Sequence, residues 1–175
     1  MFNRHSRLMR NGFLPGATMA LLLLTAIPAR ALEVRIGFNG CFPGGGCGWS
    51  MQIGPSREAR VEVVPQGHLS RRFSLSQAQF VALRTLLERE GFFSLPTKVG
   101  VLVPDGSFVE IQIVDGSKRH TVRLTQLPHD LRPIWKTDVG SVGRAYRVCE
   151  ELRSLTGVAS AQHCPGVPES AGGEK

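Results

Sequence analysis

Several features that define familiar protein classes are scarce or missing here. The longest apolar stretch, Met19 to Ile27, falls well short of the roughly 20 residues that a bilayer-spanning helix needs. There is no Gly-x-Ser-x-Gly, no His-Glu-x-x-His and no Ser/His/Asp spacing, so the common nucleophilic and zinc-hydrolase centres have no support. Glycines 44, 45, 46 and 48 lack the following Gly-Lys-Ser/Thr of a phosphate loop. They also lead into a strand pattern rather than a helix whose N-terminus would hold an anion. The 14 acidic and 21 basic residues are interspersed, and without a basic block the footprint of a nucleic-acid binder is absent. What is present, 42% hydrophobic residues in 175, is the composition of one ordinary globular domain.

The first 31 residues read as a secretory signal. Arg4, Arg7 and Arg10 precede the apolar stretch, and Ala29-Arg30-Ala31 has the small-x-small form of a cleavage site. Cleavage after Ala31 leaves 144 residues and removes four arginines and no acid, so the formal charge falls from +7 to +3. The expected location is periplasmic or extracellular, with no membrane insertion after cleavage.

Export decides how the cysteines are read. In an oxidising compartment Cys41, Cys47, Cys149 and Cys164 are expected in disulfides. Four cysteines permit three connectivities; spacing favours Cys41 with Cys47 and Cys149 with Cys164. A metal site is the rival reading, but Cys41-x5-Cys47 lacks zinc-ribbon spacing, and His163 beside Cys164 is the sole local Cys/His pair. The Cys41 and Cys47 spacing also departs from the redox Cys-x-x-Cys.

Alternation of Leu32, Val34, Ile36 and Phe38 with polar positions predicts a half-buried strand. Trp49 to Ile53, Ala59 to Val64 and His68 to Phe73 predict three more. Ser76 and Gln79 have capping-box spacing, and Phe80, Val81, Leu83, Leu86 and Leu87 then recur at helical period until Gly91. Arg84, Glu88, Arg89 and Glu90 fall on the side expected to face water. Asp115-Gly116 between two alternating runs predicts a hairpin with a type I′ turn, pairing Ile113 with Lys118 and Ile111 with His120. His120 then lies on the inward row, where a hydrogen-bonded core histidine is the ordinary outcome. A short helix is expected over His129 to Lys136. A second long one is expected over Ser141 to Leu155, with Val142, Ala145, Tyr146, Cys149, Leu152 and Leu155 on its apolar stripe.

No histidine has a fixed partner in sequence: His68 stands alone, and His129 has only the adjacent Asp130. Asp105 before Gly106 reads first as a turn residue. The remaining functional feature is the loop Cys41-Phe42-Pro43-Gly44-Gly45-Gly46-Cys47 with the following Trp49. A disulfide would stiffen it before any partner arrives, which lowers the ordering entropy that opposes association. Phe42, Pro43, Gly44, Gly45, Gly46 and Trp49 are therefore the candidate binding loop. The competing reading puts Phe42 and Trp49 in the core, Trp49 because it shares a face with Met51 and Ile53.

The order of these signals resembles a known family. The strand, glycine-rich turn, two strands and helix from Leu75-Ser76 are followed by Gly91-Phe92-Phe93-Ser94-Leu95-Pro96. Then come Pro104-Asp105-Gly106, Val109 to Ile113, His120-Thr121-Val122 and Leu127-Pro128 with Leu131-Arg132-Pro133. Over about Glu33 to Pro133 this is similar to the emfourins, small α+β bacterial proteins whose characterised example inhibits thermolysin-type metallopeptidases. The Cys41 to Cys47 loop departs from that pattern and resembles uncharacterised secreted bacterial domains instead, and the Cys149 and Cys164 region lies outside it. No inhibitory residue is carried over.

Together these observations predict a signal over 1–31, a single α+β domain over 32–157, and a tail over 158–175 tethered by Cys164. The domain is expected to be an antiparallel sheet with one main helix packed on one face and a second helix near the C-terminus. The expected function is a non-enzymatic binding module for another protein, a peptidase if the resemblance extends to activity, without cofactor or metal. An envelope structural or assembly component is the alternative.

Overall fold

The computed structural model of the chain describes residues 31–39, 48–64, 69–103 and 106–157. The expected signal apart from Ala31, the Cys41 to Cys47 segment and residues 158–175 lie outside these residues.

Seven strands form one sheet: β1 (Leu32–Asn39), β2 (Gly48–Ile53), β3 (Glu58–Val64), β4 (Leu69–Ser74), β5 (Lys98–Val99), β6 (Phe108–Asp115) and β7 (Lys118–Leu124), in the order β4-β3-β2-β1-β6-β7-β5. All pairs are antiparallel except β5 with β7. With the two helices, α1 (Gln77–Arg89) and α2 (Ser141–Leu155), this is the expected α+β architecture.

Period-two patterning places the core. Val34, Ile36 and Phe38 of β1 stand in register with Ile53, Met51 and Trp49 of β2 and with Ile113, Ile111 and Val109 of β6. That row is buried, as are Phe80, Leu83, Leu86 and Leu87 of α1 and most of the apolar stripe of α2, whereas Val81, expected on the α1 stripe, is 51% exposed. The opposite row, including Arg35, Gln52, Arg60, Arg72 and Glu110, is exposed. One sheet face therefore carries the core and the other is polar and open.

The first helix begins as its sequence demands. Gln79 N–H donates to Ser76 Oγ at 3.2 Å, and Ser76 N–H donates to Gln79 Oε1 at 2.9 Å. Gly91, at φ +59°, supplies the left-handed turn that stops it. A single 3-10 turn over Phe92–Ser94 then buries Phe92 and leads to buried Leu95. The second helix buries Ala145, Tyr146, Cys149 and Leu152 as expected, with Val142 and Leu155 half-buried.

The hairpin forms in a different register. Asp115 pairs with Lys118, so the loop is Gly116-Ser117, and Ile113 faces His120 while Ile111 faces Val122. Gly116 has φ +60°, whereas Ser117 does not adopt positive φ. This is the type II′ pattern with glycine first. Arg84 Nη2 donates to Asp115 Oδ1 at 3.1 Å and helps to hold Asp115 in the strand. The slip is two residues, so every side chain keeps its face. His120 is a core-rim histidine: Nε2 donates to the Leu95 carbonyl at 2.8 Å, and its ring meets Phe92 edge-on.

Two other expectations are corrected. Residues 129–137 form consecutive turns rather than a helix, consistent with the missing donor at Pro133. Glu90 does not face water; it is 4% exposed. Arg147 Nη2 and Nε donate to its Oε2 at 2.6 and 3.0 Å, and Arg89 Nε donates to Oε1 at 3.0 Å. Arg147 Nη1 also reaches the carbonyls of Trp135, Lys136 and Asp138. This cluster joins the end of α1, the middle of α2 and the turns between β7 and α2.

Candidate functional site

Strand direction gathers the chain's connections. The strands β1, β3, β5 and β7 end, and β2, β4 and β6 begin, at the same end of the sheet. The connections over 40–47, 65–68 and 100–107 therefore all leave from one edge of the scaffold. The stem of the first is closed by Asn39 opposite Gly48 and by Phe38 opposite Trp49.

Of the candidate loop residues, Phe42, Pro43, Gly44, Gly45 and Gly46 lie outside the described residues, as do Cys41 and Cys47. Trp49 lies within β2 and is 3% exposed, so it serves as a core residue and not as an exposed anchor. The register explains this: Trp49 lies between Phe38 and Val63 on the buried row. Cys149 is fully buried on the inner stripe of α2, and Cys164 lies outside the described residues.

The same end carries a feature that the sequence reading missed. Val101, Leu102 and Val103 are 46%, 81% and 38% exposed. A bridge between Val101 and Gln126, with Val101 N–H donating to the Gln126 carbonyl at 2.7 Å, holds the start of this segment against the sheet. Three successive aliphatics between Gly100 and Pro104 were the available signal. Between β6 and β7, the Arg123 guanidinium stacks over the Phe108 ring at 4.4 Å, and its Nη2 donates to Glu110 Oε2 at 3.0 Å.

On the open face, Gly37 and Ser50 leave a shallow depression of about 300 Å³ bordered by Arg35, Gln52, Glu110 and Gln112. Among the described residues Arg35 has no ion-pair partner.

The residues considered for catalysis are not brought together. His129 and Asp130 are exposed in the turns after β7, His120 is held by Leu95, and His68 and Asp105 lie outside the described residues. No group of three or more His, Cys, Asp or Glu is placed to hold a metal ion among the described residues. None of their helices is long and apolar enough to cross a membrane.

Two buried groups have shifted acidities, and both are structural. Burial acts to raise the Glu90 carboxyl, but the hydrogen bonds and charges of Arg147 and Arg89 outweigh it and hold the group below its ordinary value. Burial pushes the Tyr146 hydroxyl well above its ordinary range, and this hydroxyl donates to the Thr125 carbonyl. No protein-family model matches the chain, and no curated protein is significantly similar to it.

Proposed function

We propose that this chain is an exported protein-binding domain that inhibits a thermolysin-type metallopeptidase. The observation that supports binding best is the exposed Val101-Leu102-Val103 segment at the end of the sheet from which three connections leave. Contiguous aliphatic surface is unfavourable in water unless a partner covers it, and loops carried on a rigid sheet are common recognition elements. Aliphatic side chains at the loop end would enter apolar pockets of a peptidase cleft, and the sheet would keep them from rearranging.

Export is supported by the signal-like leader and by the cysteines. Cys149 is disulfide-bonded, a state that persists in oxidising compartments. Its partner sulfur lies outside the described residues, and we assign it to Cys164. Cys41 is then left to pair with Cys47. The metallopeptidase target rests on the resemblance to emfourins.

The test is titration of the oxidised, signal-free chain against a thermolysin-type enzyme, with hydrolysis of a peptide substrate as readout. Stoichiometric loss of activity supports the inhibitor; full activity at micromolar excess removes it. Affinity capture from native periplasm that returns only envelope assembly proteins would favour the alternative role.

A further inference from the structure

The two edges of the sheet are unequal. On one side β5 has only two residues. On the other, β4 has six residues, Leu69–Ser74, and among the described residues pairs only with β3.

The direction of the β4 backbone groups follows from its ends. Leu75 N–H donates to the Arg57 carbonyl at 2.9 Å, and Gly54 N–H donates to the Glu58 carbonyl at 2.8 Å. The Arg57 carbonyl thus points toward β4 and the Glu58 carbonyl away from it. In an antiparallel pair this alternates residue by residue. Phe73 and Arg71 therefore bond to β3, while Ser74, Arg72 and Ser70 turn their N–H and C=O groups outward. None of the three is proline, so the edge offers three successive donor and acceptor rungs. Ser70, Arg72 and Ser74 also place their side chains on the open face. There Arg72 and Ser74 border a cleft of about 490 Å³ with Gln52, Glu58 and Arg60.

We infer that β4 is a docking edge for an extended, acidic segment of a partner protein, which adds to the sheet as an eighth strand. This rests on the reading that the chain binds a protein, and it names the chemistry of that partner. Main-chain bonds at an exposed edge give affinity, while alternate side chains give selectivity. From Arg57 to Ser74 the hairpin carries four arginines, Arg57, Arg60, Arg71 and Arg72, against Glu58 and Glu62. Glu62 is already taken by Arg60 at 2.6 Å. Arg72 has no hydrogen-bond or ion-pair partner among the described side chains. Arg71 lies over the Phe73 ring on the other face, at 5.4 Å from its centroid.

The same charges decide against a second copy. Antiparallel pairing of two β4 edges through all three rungs sets Arg72 directly opposite Arg72, and like charges in that position are destabilising. A carboxylate at that position instead forms a favourable cross-strand pair. The arginines thus oppose self-association, as charged edge residues do, and favour an acidic strand.

The experiment uses the oxidised mature chain with two capped heptapeptides, one alternating threonine with glutamate and one alternating threonine with lysine. Binding is followed by residue-resolved amide exchange. The acidic peptide should slow exchange at Ser70, Arg72 and Ser74, and the lysine peptide should not. Arg72→Glu should weaken the acidic peptide about tenfold and reverse the preference. Ser70→Pro removes one outward donor without touching a β3–β4 bond, and should weaken binding severalfold with an unchanged thermal midpoint. The inference is overturned by equal protection from both peptides or by none. It is also overturned if these amides are already protected in the free monomer, where the chain's own tail occupies the edge, or protected in a concentration-dependent dimer. Peptide protection without peptidase inhibition keeps the edge and removes the inhibitor, while inhibition without peptide protection does the reverse.

Discussion

Replacing Glu90 by glutamine removes one charge from a contact that joins α1, α2 and the turns between β7 and α2. Removing one partner of a buried ion pair costs about 3–5 kcal/mol, because the other charge stays behind without compensation. Arg147 is not wholly stranded by the change: its side chain is 21% exposed, and Nη1 keeps the carbonyls of Trp135, Lys136 and Asp138. The expected loss is therefore about 2–3 kcal/mol. With a urea dependence of about 1–3 kcal/mol per molar, the unfolding midpoint should fall by roughly 0.7–3 M. The pH dependence has a definite sign. Glu90 is held below its ordinary carboxyl value of 4.5, so at low pH the unfolded chain binds this proton before the folded one does. Its contribution is complete above about pH 4.5 and is lost as the pH falls through the lower folded value. The gap between wild type and Glu90→Gln should thus be constant from about pH 6 to 8 and shrink in acid. Urea melts across this range, with Arg147→Met completing a double-mutant cycle, measure both quantities. A gap below about 0.5 kcal/mol at neutral pH, or one that widens in acid, would refute the reasoning.

Three further substitutions test other parts of the account. Gly143→Ala, which would ordinarily favour a helix by about 1 kcal/mol, should here destabilise by about 1–3 kcal/mol in the same melts. The new Cβ would meet the Asp138 and Trp135 carbonyl oxygens at 2.5 and 2.7 Å. Ser76→Ala should cost about 1 kcal/mol through loss of the capping box, seen as a lower midpoint with unchanged slope. Leu102→Asp should leave stability within about 0.5 kcal/mol while abolishing inhibition in the peptidase titration; retained inhibition would show that Val101 to Val103 is not the contact.

Much of the fold was legible because its signals are local. The alternation in β1, the Ser76 and Gln79 spacing and the stripe of α2 each lie within a few turns or pleats. What was misread depends on distant partners. Arg147 makes Glu90 a buried residue, and Glu90 sits beside Arg89 in a run that otherwise reads as solvated. Strand β5 has too few residues for a period and is defined by pairing with Arg123 and Leu124. Gly116 fits either the second place of an Asp-Gly turn or the first of a Gly-Ser turn, and local sequence did not choose between them. At the candidate site, Trp49 was legible as a core residue from its alignment with Met51 and Ile53. Three consecutive aliphatics at 101–103 have no alternation, so their exposure was not.

The place of β1 in the sheet bears on how the chain is made. Its one neighbour, β2, follows almost at once, but its other, β6, begins only at Phe108. At about 5–20 residues per second, a ribosome needs about 3–14 s to travel from Asn39 to that point. Once β4 has been made, at Ser74, the nascent four-stranded meander keeps a bare flank along β1 for the remainder of that interval. Until β6 arrives this flank is open to contacts with other chains, which makes it a natural foothold for a chaperone.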